Sequence, residues 1–288
     1  MIHIVNYFPF LFSKQWSMPL CAFFTTFTVV MTILILSTDL KVMLVGRHYI
    51  EFNASNIWDF EESPQDSVEL IKLIKNEYIF PPIAYTLLQN YTGKPSVQIL
   101  NIFQKKQFGV FMECGSDGSG DTEWLEKVQS WRGLLTQPHP DNFAHLLTAE
   151  RSRAHLAQVC ISPTVYPKHA FFRHVSQNES LSAIPCFPLY SLMRAYNTSH
   201  LDLLSLNEVT APLQVLKSLP VGRVRIKVIS IRNPEVNDSK DYEDMCCDPD
   251  LVNFLEKWGY KASSCVNNNP TCYYICSRTY CPSLIMYS

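Results

Sequence analysis

The run from Phe108 to Leu147 holds an apolar piece, a cluster of glycines, a helical period and a second apolar piece, and few chain paths accommodate that order. Phe108 to Met112 stops at Glu113-Cys114-Gly115, after which Gly115, Gly118 and Gly120 fall within six residues. Of the 9 glycines in the chain, six (Gly93, Gly109, Gly115, Gly118, Gly120, Gly133) lie between positions 93 and 133. A strand running into a tight turn that glycine permits is the natural reading. Trp124, Leu125 and Val128 then recur at helical spacing, and Trp131 to Leu135 forms a second strand that ends at Gln137-Pro138. In an open parallel sheet such a unit places its ligand crevice at the carboxyl ends of the strands, where backbone N–H groups face an anionic or zwitterionic group.

The remainder of the chain alternates in the same way. Asp66 to Glu77 carries Val68, Leu70, Ile71 and Ile74 on one face, with Asp66 as a cap and Tyr78-Ile-Phe-Pro-Pro as a stop. Ser96 to Gln104 precedes the first strand. Pro140-Asp-Asn-Phe begins a helix, and His155 to Ile161 reads as a third strand. Ala170 to His174 and Ala183 to Phe187 are short extended pieces, Leu189 to Tyr196 is a helical turn, and Leu201 to Leu206 is a fourth strand before a helix that starts at Pro212. Arg223 to Ile231 alternates basic and apolar residues as a half-exposed strand does. Asp248 to Trp258 is a helix stopped by Gly259, and Lys261 to Val266 with Thr271 to Ser277 closes the sheet as a hairpin. Such alternation predicts an α/β three-layer sandwich.

From Gln15 to Thr38 there is no charged residue, and about 20 such residues span a bilayer. A cleaved signal peptide is the rival, but its apolar core is about 7–15 residues and no small-x-small site follows Leu36. The expectation is a cytoplasmic N-terminus over 1–17, a transmembrane helix over 18–38, a stem over 39–65, the folded domain over 66–277 and a tail over 278–288. Asn53, Asn90, Asn178, Asn197 and Asn237 begin glycosylation sequons, all beyond the apolar segment. Ten cysteines, six of them in the last 43 residues, add an oxidising compartment. Zinc is disfavoured because no histidine follows His200 and no CxxC pair exists. Cys160, Cys186, Cys246, Cys247, Cys265, Cys272, Cys276 and Cys281 are the disulfide candidates, and the nine outside the apolar segment leave one thiol free or bridged to another chain. A body in the lumen or outside the cell follows. With a net charge of -2 and no Lys/Arg block, nucleic acid is set aside as a partner.

Several pieces together resemble the FkbM-type methyltransferase domain family, and within it the insect Star-like membrane proteins. They are Tyr78-Ile-Phe-Pro-Pro, Phe111-Met-Glu-Cys-Gly, Thr122 to Glu126 with Trp131-Arg-Gly-Leu-Leu, Pro140-Asp-Asn-Phe, Cys160-Ile-Ser-Pro, Cys186-Phe-Pro-Leu-Tyr-Ser-Leu and Val215-Leu-Lys. The resemblance implies a Rossmann-like S-adenosylmethionine methyltransferase sheet preceded by one transmembrane helix, with Cys160 and Cys186 as possible partners. It also implies a cofactor site at Glu113, Gly115, Asp117, Gly118, Gln137 and Asn207, and here the chain departs from the family. An acidic residue is expected where Gln137 stands. The run expected as Asp-Val-Glu-Gly-Ala-Glu reads Asn207-Glu-Val-Thr-Ala-Pro212, with Glu208 one place out of register, and a further acidic position is Arg232. Exchanging a charged acceptor for an amide turns hydrogen bonds worth about 1.5–3 kcal/mol into ones worth about 0.5–1.5, roughly tenfold in affinity. Asp117 reads as a turn stabiliser. His139, His145 and His155 come with no nucleophile motif, and no metal set is present.

Two functions follow as expectations. The first is a membrane-anchored pseudoenzyme without cofactor that serves as an adaptor in vesicle-mediated transport. Resemblance to Star implies membrane-bound growth-factor precursors as its cargo, moved from endoplasmic reticulum to Golgi and endosomes, with the plasma membrane as another location. The second is an active O-methyltransferase that uses S-adenosylmethionine on a small-molecule or glycan hydroxyl.

Overall fold

A computed structural model of the chain describes residues 23–33, 58–82, 91, 93–149, 151–173, 181–220, 222–232, 248–266 and 269–276. The chain divides into two compact units, Met1–Asn53 and Ala54–Ser288. In the first unit, residues 23–33 form a helix, α1, in which the hydroxyls of Thr28 and Thr32 donate to the carbonyls of Phe24 and Thr28 one turn back (2.9 and 2.7 Å). Among the described residues no helix is long and apolar enough to cross a membrane, and of the expected span over 18–38 only 23–33 is described. Asn53, Asn90, Asn178 and Asn237, together with Cys246, Cys247 and Cys281, also lie outside the described residues.

The second unit begins with a 3-10 turn at Trp58–Phe60 and continues through α2 (Val68–Leu73), which runs into a π-helical turn at Ile74–Tyr78, and α3 (Val97–Phe103). Ser67 caps α2 by accepting from the Leu70 N–H, and Ser96 caps α3 by accepting from the Ile99 N–H. Asp66, the expected cap, instead pairs with Arg223 (2.9 Å). Next come β1 (Val110–Cys114), α4 (Asp121–Gln129), β2 (Arg132–Thr136), α5 (Pro140–Thr148), β3 (Ala154–Ala157), β4 (Cys160–Ser162), β5 (Lys168–Arg173) and β6 (Leu181–Pro188). The chain then forms α6 (Leu189–Ala195), β7 (His200–Leu206), α7 (Pro212–Ser218), β8 (Arg225–Arg232), α8 (Pro249–Lys257), β9 (Tyr260–Val266) and β10 (Asn269–Cys276). Proline opens α5, α7 and α8, where a missing N–H costs nothing.

Seven strands pair in the order β3-β2-β1-β7-β8-β10-β9, parallel throughout except for β10, which is antiparallel to both neighbours. Within this sheet alone, the sequence order reads third, second, first, fourth, fifth, seventh, sixth. That is the Rossmann-like methyltransferase arrangement. Four successive residues are buried at the carboxyl half of β1, β2, β7 and β8, so both faces of the sheet are covered. The crossovers β1–α4–β2–α5–β3 and β7–α7–β8 run in opposite directions along the sheet, so the right-handed rule assigns α4 and α5 to one face and α7, with α8 packed against it, to the other.

The expected third strand, His155 to Ile161, is two strands in two sheets. β3 ends at Ala157 on the edge of the large sheet, whereas β4 pairs in parallel with β6 (Cys160 opposite Cys186) in a small sheet of order β4-β6-β5. A disulfide joins Cys160 to Cys186, so the local chain direction is set by a partner 26 residues away. Among the described cysteines, Cys114 is a free, buried thiol at the end of β1, and burial pushes it up to about 12. Asn197 is exposed just after α6 with φ 58°, at the amino end of the large sheet.

Candidate functional site

The chain leaves β1 toward β2 and β3 on one side and returns on the other with β7 and β8, so the order reverses between β1 and β7. A crevice opens outside the carboxyl ends of strands at such a switch point. Glu113, Gly115, Asp117 and Gly118 stand at or just beyond the end of β1, Gln137 just past β2 and Asn207 just past β7, so the topology brings all six predicted residues to this one place. Gly115 adopts φ 80°, and a Cβ there would lie 2.5 Å from the Cβ and 2.7 Å from the backbone nitrogen of Glu208. Only a residue without a side chain lets β1 and the β7 turn approach so closely. The backbone closes the same junction, because the N–H groups of Asn207 and Glu208 donate to the Cys114 carbonyl (2.9 and 3.4 Å), and those of Gly115 and Ser116 donate to that of Thr136 (2.8 and 3.0 Å).

Glu113 is buried. Thr122 Oγ1 donates to its Oε2 in a short hydrogen bond, and Asn207 Nδ2 donates to its Oε1 at 2.8 Å. Asn207 Oδ1 in turn accepts from Ser205 Oγ (2.9 Å). Burial raises the Glu113 carboxyl to about 7, against the opposing pull of Arg151 and the Thr122 hydroxyl. Arg151 is itself buried, at 1% exposure. Its Nε donates to Glu126 Oε2 (2.7 Å), its Nη1 to the Gly118 carbonyl (3.4 Å) and its Nη2 to Thr122 Oγ1 (3.4 Å). Glu126 Oε1 accepts from the backbone N–H groups of Ser152 and Arg153 (2.5 and 2.8 Å). A continuous polar chain therefore runs beneath the glycine turn from Glu126 through Arg151, Thr122 and Glu113 to Asn207.

Gln137 is fully buried and its amide is engaged on every side. Nε2 donates to the Ser116 carbonyl (3.1 Å) and to Glu208 Oε2 (3.2 Å), and Oε1 accepts from the His139 N–H (3.0 Å). The Glu208 side chain thus reaches from the end of β7 across Gly115 to the end of β2. Two cavities flank it, both lined by Gly115 and Glu208. One of about 400 Å³ is polar, with Ser96, Asp117, Thr122, Asn207 and Arg232 among its lining. The other, of about 440 Å³, faces the small sheet. Asp117 is exposed and accepts from the N–H and Oγ of Ser119 (both 2.9 Å), the geometry of a turn stabiliser.

No protein-family model matches this sequence, and no curated protein matches it. Solved structures are distantly similar. The Methanococcus jannaschii fibrillarin pre-rRNA processing protein is 13% identical with a TM-score of 0.37, over 59% of this chain and 67% of that one. The N-methyltransferase NodS of Bradyrhizobium japonicum is 11% identical with a TM-score of 0.34, over 63% and 93%. An S-adenosylmethionine-dependent methyltransferase from Geobacter sulfurreducens in complex with S-adenosyl-L-homocysteine is 11% identical with a TM-score of 0.31, over 67% and 72%. Strand order, read from this chain's own pairing, carries the fold.

Three residues of this site were not anticipated from sequence. Arg151 follows a helix with no pattern to mark it as buried. Glu126 stands on the apolar side of α4, and its partner is 25 residues away. Glu208 is conspicuous in the sequence as a misplaced carboxylate, but its bond to Gln137 spans 71 residues.

Proposed function

We propose that this chain is a membrane-anchored, non-catalytic protein of methyltransferase-like fold, Star-like within the FkbM type, acting as an adaptor in the trafficking of membrane-bound growth-factor precursors from the endoplasmic reticulum to the Golgi and endosomes. The observation that carries the non-catalytic part is the Glu208–Gln137 hydrogen bond over Gly115. The amide at the end of β2, where an acidic residue would grip ribose hydroxyls, is spent on Ser116, His139 and Glu208. Asn207 and Glu113 are likewise spent on each other. The side chains present do not fit S-adenosylmethionine without breaking bonds that the fold makes for itself, and an amide deprived of its partners in a buried place costs about 1–3 kcal/mol.

The membrane part rests on the uncharged run from Gln15 to Thr38, whose described stretch is a helix with Phe23, Phe27, Val30 and Ile33 each more than half exposed. Phe24, Val29 and Met31 widen that apolar face, and the threonines on the far side suit lipid by donating their hydroxyls to carbonyls one turn back, as Thr28 and Thr32 do (2.9 and 2.7 Å). The trafficking part rests on the resemblance to Star-like proteins, and the Cys160–Cys186 disulfide favours an oxidising lumen.

The polar cavity of about 400 Å³ beside Gly115 favours a second reading, an active S-adenosylmethionine-dependent O-methyltransferase on a small-molecule or glycan hydroxyl. Calorimetry of the purified chain with S-adenosylmethionine separates the two. The adaptor reading expects no binding at micromolar concentrations, together with co-precipitation of a membrane-bound precursor by the glycosylated chain. Micromolar affinity for the cofactor would overturn it.

A further inference from the structure

We propose that the cavity of about 440 Å³ on the small-sheet side of Glu208 is a binding site for a medium-chain monocarboxylic acid. Its volume falls within the range of small-molecule sites, about 300–1,000 Å³. The wall is apolar and comes from four parts of the chain. Val159 and Ile161 lie on the passage from β3 into β4, Phe172 on β5, Val209 in the turn after β7 and Val215 on α7, while the Cys160–Cys186 disulfide closes one side. Such a lining disfavours a polar ligand and suits an alkyl body.

Polar groups on this lining are few and separated. Thr136 is 1% exposed, and its Oγ1 has no hydrogen-bond partner among the described residues beyond the weak Cys114 thiol. Lys168 lies at the other extreme, exposed on β5, and enters no ion pair among the described residues. Of the other ionisable groups of the lining, His169 is held by Glu61 (2.9 Å) and Glu208 accepts from the neutral Gln137 amide, which leaves Lys168 as the cation available to a ligand. A cation beside an apolar chamber selects a ligand with one anionic end and an apolar remainder. S-adenosylmethionine has no such shape, because its own charges include a sulfonium and an ammonium. The proposal stands apart from the adaptor reading, since it concerns a different ligand and a different readout.

The test titrates octanoate and 1-octanol into the full chain in detergent, with a detergent-only blank, by saturation-transfer NMR and calorimetry. Expected are saturable 1:1 binding of octanoate and at least tenfold weaker binding of octanol. Lys168→Met, an exposed substitution that keeps the alkyl stem and leaves the fold intact, should bring octanoate down to the octanol value. Ala170→Phe, which fills the chamber, should abolish both. No saturable octanoate binding, equal affinity for acid and alcohol in the native chain, or octanoate affinity unchanged by Lys168→Met would each overturn the proposal. So would displacement of octanoate by S-adenosylmethionine, which would merge this chamber with the cofactor cradle.

Discussion

Replacing Glu113 by glutamine should make the fold less sensitive to pH, and the size of the effect follows from the buried site. The native carboxyl titrates near 7 rather than at the 4.5 of an unfolded chain, chiefly because it is withdrawn from water. Between those values the folded chain holds a proton that the unfolded chain has released. Stability from this group is therefore fully present below about pH 4.5 and lost as pH rises through about 7. Carrying the titration from 4.5 to about 7 amounts to about 3 kcal/mol, an upper figure for one buried group. Glutamine mimics the protonated acid, since Oε1 still accepts from Asn207 and Nε2 donates to Thr122 Oγ1 where the carboxylic hydroxyl would. Thermal unfolding of native chain and Glu113→Gln, followed by circular dichroism from pH 4.5 to 8.5, isolates the group because every other carboxylate contributes equally to both curves. The two should melt within a few degrees of each other at pH 4.5. At pH 8 the variant should melt higher by about 6–12 °C, using about 2–4 °C per kcal/mol for a domain of this size. Melting curves that stay parallel across the range would refute the reasoning.

Other perturbations test neighbouring parts of the fold. Arg151→Met removes one partner of a buried pair and strands Glu126, so chemical denaturation should show a loss of about 3–5 kcal/mol, whereas Arg223→Met, at the exposed pair with Asp66, should leave the denaturation midpoint nearly unchanged. Cys160→Ser with Cys186→Ser opens a loop of 26 residues, and loop-closure entropy puts the loss at about 3.5 kcal/mol, measurable as a lower denaturation midpoint that reducing agent shifts less than it shifts that of the native chain.

The parts of this fold that could be read from sequence are those whose causes are local. Gly115 and Gly118 mark the turn because positive φ (80° and 87°) penalises any residue with a Cβ, and that penalty does not depend on the rest of the chain. Helix starts at Pro140, Pro212 and Pro249 are local for the same reason. Features that needed distant partners were out of reach. The chain from His155 to Ile161 looks like one strand by composition, and only the pairing of Cys160 with Cys186 splits it between two sheets. Ser67 and Asp66 are equally good caps as residue types, and the choice between them falls to Arg223, which draws Asp66 away. At the site, losing an acidic group at Gln137 could be seen, but its engagement by Ser116 and Glu208 could not.

Cys114 sits in the middle of the sheet, on the first strand, in a chain that also carries a disulfide. In the oxidising compartment proposed above, that thiol would be reachable by other cysteines until its strand is enclosed by its two neighbours. Oxidation that outruns enclosure would trap Cys114 in a wrong bridge, and the native arrangement would then require a disulfide isomerase to recover it. A thiol buried on the central strand would thus set a race in maturation there, with sheet closure needing to finish first.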